Sequence, residues 1–158
     1  MPPSSGRKPN GPRRPEAEQK KGTNLMSHPT ITLEAAGRII DAGQEKARDL
    51  GLNAVFAVLD AGANLVAFER MDGAWLASND LALTKSRTSV MFEAPSEALN
   101  APLQIGEPVP HFDHTNGGLL LMGGGVPILD ENGRLIGALG VSGGTPEQDA
   151  EVARTAVD

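Results

Sequence analysis

Cysteine and tyrosine are both absent from the 158 residues, tryptophan occurs once, and phenylalanine four times. Without cysteine there is no disulfide framework, thiolate nucleophile, iron–sulfur cluster or covalent c-type haem attachment. So few aromatic rings leave little for bases to stack on, and a formal net charge of −6 repels a phosphate backbone, so nucleic acid is not expected as a partner. No apolar run approaches the roughly 20 residues of a membrane-spanning helix, so no membrane partner is expected either. What the chain does have is 39% apolar residues and 19 glycines, enough for the core of one compact domain.

The charge is unevenly distributed. Residues 1–27 hold Arg7, Lys8, Arg13, Arg14, Lys20 and Lys21 against only Glu16 and Glu18, so the remainder is more acidic than the whole. This stretch has several prolines and no hydrophobic periodicity, and it reads as a disordered basic extension ahead of a domain at 28–158. No apolar segment follows Arg13 and Arg14 to complete an export signal, so a cytoplasmic location is expected.

From Thr32 the pattern becomes helical. Leu33, Ala36, Ile40, Gly43, Ala47 and Leu50 recur at steps of three and four, with Thr32 placed to cap the start and Gly51 to end the helix in a left-handed conformation. Residues 54–60 and 64–70 are strand-like runs around a short turn, and the same grammar returns at 126–130 and 134–142. Two hairpins, hence four antiparallel strands, are expected, with Pro127 marking either an edge strand or the beginning of one because it has no N–H to donate. Between them Trp75 to about Glu93 reads as a helix, on the spacing of Leu76, Leu83 and Val90, followed by a short helix near Ser96 to Leu103 and an irregular loop. Thr145-Pro-Glu-Gln148 is a capping box opening a last helix. The fold class is α+β: one domain, an antiparallel sheet packed by helices.

His111-Phe-Asp-His114 is the compact metal-ligand spacing: two imidazoles three residues apart can meet one ion, and imidazole suits iron, zinc or the axial position of haem. A polar surface loop would show the same spacing. Arg70 and Asp72 leave the first hairpin, while Asp80, Lys85 and Arg87 sit on the next helix. These cations could hold a carboxylate, and an aspartate could serve as a base, or an Arg–Asp pair could simply lock hairpin to helix. Gly124 and Gly125 permit close approach of a ligand or of a packing neighbour. The turn from Gly140 to Thr145 could dock an anion at a helix start, although tight turning is the simpler explanation.

The order of Ala57-Val-Leu-Asp60-Ala-Gly62, Leu65-Val-Ala-Phe-Glu-Arg70-Met-Asp72-Gly-Ala74, Lys85-x-Arg87-Thr88, Gly124-Gly125-Val126-Pro127-Ile128 and Ile136-Gly-Ala-Leu-Gly140-Val-Ser142-Gly143 resembles the GlcG/HbpS family. That family includes the C-terminal domain of PduO-type proteins and is often labelled haem-degrading. The resemblance covers about residues 30–158 and implies a profilin-like domain, a homo-oligomer and a small-molecule ligand near subunit contacts.

Two functions follow. The first is binding of haem or a related tetrapyrrole, with His111 or His114 on the iron, cofactor contacts from Arg70, Lys85, Arg87, Gly124 and Gly125, and an implied haem-degrading activity. The second is an enzyme acting on a small organic acid, with Asp72, Asp80, His111 or His114 as acid–base residues, assisted by a divalent metal ion if His111 and His114 bind one. Both expect hairpin exit, helix and histidine segment to converge on one cavity, within or between subunits.

Overall fold

The computed structural model describes residues 29–100 and 111–158. The basic extension at 1–27 therefore lies outside the described residues, as does the part of the expected short helix beyond Asn100.

Helix α1 (Leu33–Asp49) starts where the sequence places it, with the Thr32 hydroxyl accepting from the Ala35 N–H at 3.1 Å. Gly51 follows it at φ 68°, a left-handed conformation that glycine adopts without a Cβ penalty. Strands β1 (Val55–Asp60) and β2 (Leu65–Arg70) form the first hairpin, and β3 (Gly125–Leu129) and β4 (Leu135–Ser142) the second. Their turns are built alike. Asp60 Oδ1 accepts from the N–H groups of Gly62 and Asn64, and Asp130 Oδ1 from those of Asn132 and Arg134. All neighbouring strands are antiparallel, in the order β2-β1-β4-β3, so Pro127 does stand on an edge strand.

Helix α2 (Ser78–Phe92) covers one face of this sheet. Helices α1 and α3 (Pro146–Val157) cover the other, and Thr145 and Gln148 close a reciprocal capping box at the start of α3. Alternation along β1 sorts the core accordingly. Phe56 and Val58 pack with Ile40, Ala47, Val141 and Val152 on the α1/α3 side, whereas Val55, Ala57 and Leu59 meet Ala82 and Val90 of α2. With helices on both faces, β1 is buried almost throughout and reads as a continuous apolar run. Gly140 lets α2 lie close, because a Cβ there would strike the Ala82 carbonyl oxygen.

The spacing that joined Leu76 to Leu83 and Val90 is not one helix face. Leu76 precedes α2 and is 75% exposed, next to Trp75 at 81%.

Candidate functional site

Lys85 sits on the sheet-facing side of α2, fully buried. Its Nζ donates to Asp149 Oδ2 at 2.7 Å and to the Val141 carbonyl at 3.0 Å, so its charge is directed inward at α3. The other oxygen of that carboxylate, Oδ1, accepts from the N–H groups of Gly143 and Gly144 at 2.9 and 2.8 Å. The anion expected at the glycine turn is thus the protein's own Asp149. Gly124 and Gly125 pack around this pair: a Cβ at Gly124 would collide with the Val141 carbonyl, and one at Gly125 with the carbonyl of Lys85 itself. Asp149 was not singled out from sequence, although an acid in the first turns of a helix that follows a glycine turn is a signal that could have found it.

Arg70 and Asp72 line a polar hollow of about 500 Å³ with Gln44, Arg48, Asn53 and Glu69. Asp80 and Arg87 line a different one, of about 290 Å³, walled by Leu59, Leu65 and Leu83. Arg70 and Leu65 stand at opposite ends of β2, five residues apart, which at the rise of an extended strand is about 16 Å. Among the described residues, Arg70 and Asp72 therefore line a different hollow from Asp80 and Arg87.

Helix and histidine segment do meet. His111 and His114 flank Phe112 at the start of a 3₁₀ turn (Phe112–Gly117), His111 taking φ 63°. Phe112 lies against Phe92 at the end of α2, ring centroids 5.9 Å apart. Arg87 Nη2 donates to the carbonyls of Gly117 and Gly118 at 3.1 and 2.8 Å. The segment is thus tied to α2 at Phe112 and at Gly117 and Gly118; His114 lies between these ties and His111 just before the first, both exposed, with ring centroids 4.9 Å apart and planes inclined by 35°. Asp113 is near but loosely held, its Oδ2 being 3.7 Å from His114 Nε2. Sequence reasoning did not foresee these anchors, because they pair residues 20 to 31 positions apart.

Among the described residues no group of three or more His, Cys, Asp or Glu is placed to hold a metal ion. Two imidazoles fall short of the donors that a zinc-type site needs from the protein. They do suit haem, whose macrocycle supplies four nitrogens itself and asks the protein for one or two axial ligands.

A domain with helices on both faces of a four-strand antiparallel sheet is an architecture that known proteins share. Residues 31–158 match the family described as haem degrading protein HbpS-like, and the chain belongs to that family. A 15.0 kDa protein encoded between dhaT and dhaS in Citrobacter freundii is 38% identical over 130 residues, covering 82% of this chain and 91% of that one. The crystal structure of Klebsiella pneumoniae protein ORFY superposes with a TM-score of 0.79 at 35% identity, over 84% of this chain and 92% of that one. The crystal structure of the PduOC haem complex does so with a TM-score of 0.74 at 32% identity, over 81% and 93% of the two chains. No helix among the described residues is long and apolar enough to cross a membrane.

Proposed function

We propose that this protein binds haem or a related tetrapyrrole as a homo-oligomer, with His111 or His114 as the axial iron ligand. The observation that carries this reading is the donor set: two exposed imidazoles on a segment anchored to α2, among the described residues too few for a self-sufficient metal centre and suited to a metal that brings its own equatorial ligands. The haem-bound relative PduOC supports it. Arg87 acts here as a positioning residue, holding the backbone that carries the histidines. Lys85, Gly124 and Gly125 support the fold beneath rather than touching the ligand, and Arg70 lines a different hollow from Arg87. Assembly is supported by Trp75 and Leu76, two large apolar side chains exposed side by side.

Titrating the purified protein with haemin tests the reading. A Soret shift that saturates is expected, and it should be lost when His111→Ala and His114→Ala are combined. No shift with the unaltered protein overturns haem binding, and an unchanged shift with the double variant overturns the assignment of the ligands.

The enzymatic reading, an acid–base reaction on a small organic acid, keeps one supporting observation: Asp80 and Arg87 line the same hollow. Turnover of small acids abolished by Asp80→Asn would support it.

A further inference from the structure

We infer that the hollow between the β1–β2 turn and α2 binds a short zwitterion, its carboxylate at Arg87 and its ammonium at Asp80. The inference takes up the hollow of the enzymatic reading but requires no turnover, and it does not depend on haem.

Arg87 is the starting point. It is half-buried, its Nε is closed off from solvent without a hydrogen-bond partner, and its two anchoring acceptors are neutral carbonyls. No described carboxylate pairs with it, and no described cation pairs with Asp80. Among the described residues the guanidinium thus has neutral acceptors and no anion beside it, and the nitrogen left to meet a ligand is Nη1, since Nη2 is engaged and Nε is sealed.

Asp80 does not supply that anion. Seven residues separate the two, nearly two helical turns, so they share a face about 10 Å apart along the axis, with Thr84 between them. The site is bipolar: positive at one end and negative at the other, with Leu59, Leu65 and Leu83 along the side. That offset lies between backbone positions, and a hollow of about 290 Å³ leaves room between the two side-chain ends for a ligand whose charges are separated by a few methylenes. Those methylenes would lie on the leucines. A dicarboxylate of the same length is disfavoured, because its second charge would face Asp80.

Calorimetric titration of the full chain with γ-aminobutyrate tests this, with butyrate, butylamine and succinate as controls. γ-Aminobutyrate should bind at least about tenfold more tightly than butyrate or butylamine, the effect of losing one charged hydrogen bond, and succinate more weakly still. Asp80→Asn, at an exposed position in the first turn of α2, should abolish the preference over butyrate; Arg87→Met should abolish the preference over butylamine. Equal affinity for γ-aminobutyrate and butyrate, or no binding of either at millimolar concentration, overturns the inference. Haemin titrations of Asp80→Asn should match those of the unaltered protein, so failure here is distinguishable from failure of the haem reading.

Discussion

Lys85 and Asp149, 64 residues apart in sequence, meet at 2.7 Å with side chains only 2% and 3% exposed, and their contact joins α2 to α3 beside β4. Removing one partner leaves a buried charge without its counterpart, a change that costs about 3–5 kcal/mol. Asp149→Ala is expected to be the most damaging single change, because it also strands the N–H groups of Gly143 and Gly144. Asp149→Asn keeps an acceptor for them and should cost less, as should Lys85→Met. Urea denaturation of the three variants gives the order, and equal losses would show that the N–H groups find water instead.

Two glycines should respond to alanine with opposite signs. At Gly140 the added methyl meets the Ala82 carbonyl, so α2 must lift from the sheet, at a cost of about 1–3 kcal/mol or more. At Gly37, inside α1, a Cβ meets nothing within 4 Å, and Gly37→Ala should stabilise by about 0.5–1 kcal/mol through helix propensity. Thermal melting of both variants is enough to check this.

The β3–β4 turn carries a pH dependence of known sign. Hydrogen bonds from the Arg134 backbone N–H, and then from its side chain, hold the Asp130 carboxyl below the ordinary aspartate value of 3.8. A carboxyl depressed in the folded state contributes stability that is complete above that value and is lost as pH falls through the lower, folded-state pKa. Asp130→Asn should therefore flatten the stability-versus-pH curve on the acid side of 3.8. Denaturation midpoints across the acid range read this out, and parallel curves for the two proteins would contradict it.

Arg87→Ala should weaken haemin binding although both histidines remain. Releasing the carbonyls of Gly117 and Gly118 frees one end of the segment, and two hydrogen bonds to a charged group correspond to about tenfold or more in affinity. The Soret titration should show this loss with the final bound spectrum unchanged, since the iron ligand is the same. An altered bound spectrum would mean that Arg87 acts on the haem itself.

The local punctuation of the fold is legible in the sequence. Thr32 and Gly51 bracket α1, the capping box opens α3, the two aspartate turns define the hairpins, and Pro127 marks an edge, because each is fixed by residues within a few positions of one another. Depth is not local. Lys85 and Arg87 are two residues apart on one helix, yet the first is sealed in the core while the second lies half-buried at a hollow, and only the packing of α2 on β4 separates them. Leu76 shows the converse: it is seven residues before Leu83, but the turns before Ser78 leave it outside the helix and off that face. The histidine segment was legible as donors and not as a placed site, because its position depends on Phe92 and Arg87.

The single tryptophan, 81% exposed beside Leu76, gives the molecule an intrinsic optical reporter. An indole in water emits at long wavelength. When a second copy covers it, the emission moves toward the blue, so simple dilution followed by fluorescence reveals whether copies come apart and at what concentration. With tyrosine absent, no phenol emission overlaps that signal.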